Sequence, residues 1–254
     1  MTDHEVTAGP VRSDEQSPGG RWRRWHLTSR DAIIALAVAV LTVGFQAMID
    51  DRREDKADRR ENLRFLREQV STGNLSELQL RNIDLSNQNL SGLELAEARM
   101  PAAILSEADL SHMRMVGTHL YEADLTGAEL FDTHMERVLL NGANLRGANL
   151  EEVYFLDSQL IGTDFTGANL RRATIATTEY RAGEAVSADF TRADLRGARL
   201  NDARYYRARF YGADLRRAAL NFTAEDIICY DFTTRWPWGA EIPPSAPHDE
   251  CHPK

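Results

Sequence analysis

From Leu75 to Leu220 an apolar residue falls on every fifth position without a skipped step, and nineteen of these thirty residues are leucine. Two places before each lies a second series, Leu78 to Ala218, in which sixteen of twenty-nine residues are alanine. Between the small and the large residue sits, in most units, Asp, Asn, Glu or Arg. A helix repeats its face about every 3.6 residues and a strand about every 2.0, so a period of five fits neither. The chain must turn after each unit. A short fixed period of this kind predicts stacked coils, each packed mainly against its neighbours. Burying a leucine or phenylalanine contributes about 1.5 to 3 kcal/mol, and a narrow coil has room for one only if its inward neighbour is small.

The unit, seen in Ala123-Asp124-Leu125-Thr126-Gly127 and Ala148-Asn149-Leu150-Glu151-Glu152, resembles the pentapeptide-repeat family. The resemblance implies a right-handed quadrilateral β-helix in which each pentapeptide forms one side and four make a coil. The expected fold is therefore an all-β solenoid of about seven coils, on the order of 34 Å long at the spacing of stacked strands. Its inward residues would include Leu110, Leu125, Leu130, Leu145, Leu150, Phe165, Leu170, Phe190, Leu195, Phe210 and Leu215. With a constant twenty-residue coil, one column reads Leu85, Leu105, Leu125, Leu145, Phe165, Ala185, Tyr205. That order places the one undersized core residue, Ala185, between two rings. Thr178 to Val186, with Gly183, is the least regular part of the repeat.

The pattern divides the chain into five parts: a tail over 1–30, an apolar segment over 31–49, a charged stretch over 50–72, the repeat over 73–222 and an end cap over 223–254. Residues 1–20 are rich in Asp, Glu, Ser, Pro and Gly and read as disordered. Arg21-Trp22-Arg23-Arg24-Trp25 leads into an apolar run from Ala32 to Ile49. A helix of that length spans about 27 Å, close to a hydrocarbon core, and flanking Trp and Arg suit the bilayer surface. We therefore expect a single transmembrane helix, with the protein in the plasma membrane.

Asp50 to Val70 carries seven basic and seven acidic residues and reads as a solvent-exposed helix, with pairs such as Asp55 and Arg59 four apart. Its short stripe of Leu63, Leu66 and Val70 suits a cap over the first coil; the other reading is a dimerising stalk. Beyond Leu220 the register is lost, and Ile227, Ile228, Tyr230, Trp236 and Trp238 can close the last coil. The ending Tyr230-Asp231-Phe232-Thr233-Thr234-Arg235-Trp236-Pro237-Trp238-Gly239 resembles the terminal segment of membrane-anchored actinobacterial members of the family.

Charge changes the picture along the repeat. Gly73 to Phe165 holds fifteen acidic and five basic residues, whereas Thr166 to Phe222 holds six and eleven. No phosphate-binding glycine loop, nucleophile elbow or paired zinc-ligand motif occurs. The recurring carboxylates follow the outward position and read as solvated surface. His112, His119 and His134 fall in different columns of a twenty-residue coil, and His248, Cys251 and His252 lie at the terminus, so we assign no metal, cofactor or catalytic residue. Cys229 and Cys251 are the only cysteines. They can pair if the domain is exported, or stay free in a reducing compartment. Basic residues flank the apolar segment on both sides, so they do not fix its direction. The cluster abutting the segment, together with the cysteine pair, favours the repeat on the outer side.

Two function classes remain. A tethered, pocketless solenoid points to a non-enzymatic scaffold that presents a rigid charged surface to a protein partner, or to a second copy of itself. The alternative, an activity known in the pentapeptide-repeat family, is a DNA mimic that protects gyrase. A mimic should be acidic along its whole length, which the second half is not, and a nucleic-acid partner is not expected.

Overall fold

The computed structural model describes residues 54–71, 80–176, 185–200, 203–222, 226–243, 245 and 251. The apolar segment over 31–49 lies outside them. Among the described residues no helix is long and apolar enough to cross a membrane.

The repeat folds as a right-handed, all-β solenoid. One face forms the longest strands: β1 (Arg114–Val116), β2 (His134–Glu136), β3 (Tyr154–Leu156), β4 (Thr174–Ala176), β5 (Arg199–Leu200) and β6 (Ala219–Leu220). They stack in chain order as one parallel sheet. The other faces are joined by single parallel bridges, such as Asp124↔Asn144 and Glu129↔Asn149.

The corners explain the period of five. After most large residues the chain turns, and the next inward residue donates its N–H back to the carbonyl of the large one, as from Ala143 to Leu140 at 2.9 Å. The residue two places after the large one takes a positive φ at every described corner, from Asn82 at 59° to Arg217 at 64°. A turn of this kind needs that conformation at its third position. Glycine adopts it freely, which accounts for the glycines at Gly127, Gly142 and Gly147. Outward Asp and Asn brace the same turns. Asp124 Oδ1 accepts from the Thr126 N–H (3.1 Å) and from the Thr126 hydroxyl (2.6 Å), and Asp164 accepts from the Thr166 N–H at 2.8 Å.

The sheet from β1 to β6 makes five turns, fewer than the expected seven coils. The register along this sheet is not constant. Arg114, His134, Tyr154 and Thr174 pair in steps of 20, but Thr174 pairs with Arg199, a step of 25. That coil is therefore one unit of five residues longer than those before it. The five turns of the sheet leave out the first coils, which are joined only by isolated bridges, such as Asp84↔Ile104.

The extra unit also corrects the stacking order. Asp164 pairs with Asp189, not with a residue twenty on. Phe165 therefore stacks on Phe190 and Phe190 on Phe210, with ring centroids 5.0 Å apart in both pairs. Ala185 moves to the neighbouring column, above Leu160 and below Tyr205, as the bonds Gly162 N–H to Val186 O and Ala185 N–H to Arg204 O show. The small residue thus never lies between Phe165 and Tyr205.

Both ends are covered. Residues 54–71 form helix α1, whose Leu66 is wholly buried in the same core, with Leu63 and Val70 packed beside it. Its polar side chains satisfy the edge of the first coil: Asn62 Nδ2 donates to the Asp84 carbonyl (3.0 Å) and Arg67 Nη2 to the Asn89 carbonyl (3.2 Å). Arg59 reaches across to the Ser86 hydroxyl at 3.0 Å. At the far end Phe222, Tyr230 and Trp236 close over Phe210, with Tyr230 and Trp236 edge to face at 5.1 Å. Cys229 and Cys251 are joined by a disulfide across a Cα separation of 5.6 Å.

Candidate anion-binding corner

The eleven inward Leu and Phe residues named above are wholly buried. Where the small inward position holds threonine or serine instead of alanine, its hydroxyl is satisfied within the wall. Thr133 Oγ1 donates to the Leu110 carbonyl at 2.8 Å and Thr163 Oγ1 to the Leu140 carbonyl at 2.9 Å. Polar chemistry available to a ligand therefore sits outside.

One corner concentrates it. After Leu170, Leu195 and Leu215 come Arg171-Arg172, Arg196-Gly197 and Arg216-Arg217. These pairs lie directly above one another, because the Arg172 N–H bonds the Arg196 carbonyl and the Gly197 N–H bonds the Arg216 carbonyl, each at 3.1 Å. Successive rungs are about 4.8 Å apart, and the five arginines of these rungs line a groove of about 340 Å³. Gly197 lies among them. A Cβ built there would meet only Arg172 Cγ, at 3.8 Å.

Carboxylates hold three of the five arginines in place. Arg196 donates through Nε (2.8 Å) and Nη2 (2.5 Å) to Asp194, and Arg216 through Nε (2.8 Å) and Nη2 (2.6 Å) to Asp214. Arg172 Nη1 donates to Glu152 at 2.8 Å. Forked bonding of this kind fixes the plane of the guanidinium and leaves its other N–H donors free to bind.

The Arg216 side-chain hydrogen bond, opposed by partial burial, holds the Asp214 carboxyl below its usual value of 3.8. At Asp194 burial pushes upward most strongly, but the hydrogen bonds and charge of Arg196 together hold the carboxyl below that value too. A carboxyl depressed in the native state stabilises the fold above its unfolded value, and that contribution is lost as pH falls through the native one. Asp214→Asn should therefore make the loss of unfolding free energy below about pH 4 less steep. Urea melts at stepped pH read this, and an unchanged slope would refute the clamp.

Below the arginines the same corner turns acidic. The Glu152 N–H bonds the Arg171 carbonyl, and the Asp132 N–H bonds the Glu151 carbonyl, so Glu151-Glu152 and then Phe131-Asp132 occupy the next rungs. The structure places His112 and His134 on either side of Asp132, at 3.1 and 4.0 Å from its carboxylate, whereas His119 packs on Tyr121. Among the described residues no group of His, Cys, Asp and Glu could hold a metal ion. His248 and His252 lie outside the described residues, and Cys251 is in the disulfide.

The arginine corner was not singled out from the sequence, although its signal is present: Arg follows the large residue at Arg171, Arg196 and Arg216. What hid it is the register. A constant coil of twenty stacks Arg171 on Thr191 and Tyr211; only the step of 25 brings the arginines together.

Residues 133–210 match the family described as a pentapeptide repeat region, and residues 103–142 match pentapeptide repeats of eight copies. No curated protein matches the chain. Among solved structures, the chain is similar to HetL, a pentapeptide repeat protein involved in heterocyst differentiation regulation in the cyanobacterium Nostoc sp. strain PCC 7120. The two share 29% identity over 56% of this chain and 71% of HetL, with a TM-score of 0.42. A pentapeptide repeat protein of the Arabidopsis thaliana thylakoid lumen shares 28% identity over 46% of this chain and 71% of its own, with a TM-score of 0.26. QnrB1, a plasmid-mediated fluoroquinolone resistance protein, shares 17% over 60% and 81%, with a TM-score of 0.39. The stacked pentads between 103 and 210 are thus the part of the chain that matches models of pentapeptide repeats.

Proposed function

We propose that the chain is a membrane-anchored, non-enzymatic interaction scaffold of the type found in actinobacteria. Residues 31–49 hold it in the plasma membrane by a single span, and the solenoid presents its charged faces to a protein partner on the outer side. The observation that carries the scaffold reading is the closed interior. Its Leu, Phe and Ala stack is filled from Leu66 to Ile228, so every charged group that could meet a ligand projects from the wall. Repeat arrays with filled cores commonly act as extended binding surfaces. The disulfide supports the outer side, since such bonds persist in oxidising compartments. The alternative of a gyrase-binding DNA mimic fares worse, because arginine dominates the second half of the repeat where a mimic needs carboxylates.

Fractionation and labelling test this reading together. The full chain should stay in the membrane pellet after an alkaline wash, and deletion of residues 21–49 should release a folded, β-rich protein to the supernatant. An impermeant thiol reagent should label intact cells only after reduction. A photo-crosslinking residue in place of Tyr154, which faces outward on β3, should give a discrete adduct with a protein, whereas one at the buried Leu145 should give none. Full-length chain in the supernatant overturns the anchor, labelling that never occurs in intact cells overturns the outer side, and adducts absent from position 154 and further outward positions overturn the scaffold.

A further inference from the structure

We propose that the corner lined by Arg171, Arg172, Arg196, Arg216 and Arg217 binds a phosphate monoester carried on a side chain of a protein partner. The inference rests on the scaffold reading and names the chemistry of the partner.

Charge is the first argument. Five arginines line the groove, and the carboxylates bonded to them are three, Asp194, Asp214 and Glu152. Arg171 and Arg217 form no ion pair among the described residues, so the arginines outnumber the carboxylates bonded to them by two. A phosphate monoester carries about −1.5 to −2 at neutral pH and three acceptor oxygens, and forked arginines are the donors that fit it.

Shape is the second. Gly197 stands at the corner position where its neighbours carry Arg172 below and Arg217 above. Its missing side chain leaves a recess one rung high, walled by arginine. The recess suits one compact anion rather than a rail.

The neighbouring rungs exclude extended polyanions. Duplex DNA carries a charge about every 1.7 Å, so a duplex lying along this edge would be driven onto Glu152, Glu151 and Asp132 within two or three rungs of Gly197. An anionic bilayer pressed on the corner would meet the same carboxylates. A free phosphate fares poorly for a different reason: the side chains of Arg172, Arg196 and Arg216 are 65%, 42% and 52% exposed, and half-solvated guanidiniums bind a small ion weakly. A peptide adds the contacts a free ion lacks. Glu152 lies two rungs from Gly197, about 10 Å, which is about three extended residues. A lysine three residues from the phosphorylated side chain would pair there.

The test uses the full chain in detergent micelles and a fluorescein-labelled peptide with a central phosphoserine, lysine three residues to either side, and alanine and glycine elsewhere. The phosphopeptide should bind at least about tenfold tighter than its serine form, and the Arg171→Gln, Arg217→Gln double variant should lose about tenfold. The variant Arg192→Gln, Arg207→Gln, altered at two other corners, should bind like the parent. Gly197→Glu should abolish binding by filling the recess with a carboxylate. It should still fold, because Glu97, Glu107, Glu122 and Glu152 already hold the same corner conformation at φ of 55 to 61°. Equal binding of the two peptides, an unaffected Arg171/Arg217 variant whose fold is intact, inorganic phosphate bound as tightly as the phosphopeptide, or displacement of the peptide by phosphatidic acid vesicles would each overturn the proposal. None of these readouts depends on the membrane span, so failure here leaves the fractionation and crosslinking results standing.

Discussion

Phe190→Ala is expected to lower the unfolding free energy by about 3 to 5 kcal/mol. Phe190 is wholly buried, and its ring lies nearly parallel to those of Phe165 and Phe210, with centroids 5.0 Å away on each side. The columns on either side are tied by backbone hydrogen bonds at every rung, such as Phe190 N–H to Arg209 O at 2.7 Å and Phe165 N–H to Asp189 O at 2.7 Å. A ladder with that spacing cannot close over a missing ring, so the cavity persists and its cost adds to the lost transfer energy. Leu145→Ala, in the same column two coils below Phe190, should cost about 2 to 5 kcal/mol for the same reason. Arg146→Ala next to it should cost little, since that side chain is 57% exposed and its contact with Asp164 is a surface pair. Denaturant unfolding of the chain lacking residues 1–49 measures all three. A neutral Phe190→Ala beside a damaging Arg146→Ala would mean that the inward series is misassigned.

Breaking the Cys229–Cys251 bond should cost about 3 kcal/mol in the chain-entropy treatment, because it frees a loop with a sequence separation of 22. The loss should be local before it is global. Cys229 pairs with Arg209 on the last full coil, and Arg209 Nε donates to the Cys251 carbonyl at 3.2 Å, so the bond pins the terminus onto the aromatic cap. Reduction, or the Cys229→Ser, Cys251→Ser pair, should lower the unfolding midpoint and speed proteolysis around residues 230–243, while hydrogen exchange in β1 to β4 stays slow. Equal midpoints in oxidised and reduced protein, with no new cleavage in the cap, would show that the aromatic cluster alone holds this end.

The two predictions draw on different levels of information. Leu145 and Arg146 could be told apart in the one-dimensional string, since a period of five leaves one large and one small inward residue per unit. That rule has a physical basis in the limited width of the coil, so it applies locally and survives without knowledge of neighbours. The capping role of Leu66 was legible in part, as an apolar stripe that suited either a cap or a dimerising stalk, and its burial in the core decides for the cap. The corner residues could also have been read, because Gly127, Gly142, Gly147, Gly162 and Gly167 share one phase of the repeat, the phase that takes positive φ. Which carbonyls α1 satisfies could not be read, since Asn62 and Arg67 reach atoms of a coil more than twenty residues away.

The sequence by itself determined the unit, its inward and outward positions and the division of charge along the repeat, because each follows from what a single pentapeptide must bury. Only the tertiary structure decided which units lie above one another. Stacking is a long-range matter of how many pentads complete a coil, and each pentad looks alike whether its coil holds four or five. The extra unit between Thr174 and Arg199 shifts every later residue by one side. That shift puts Phe190 rather than Ala185 on Phe165, and it gathers Arg171, Arg196 and Arg216 onto one edge where a constant coil would have scattered them.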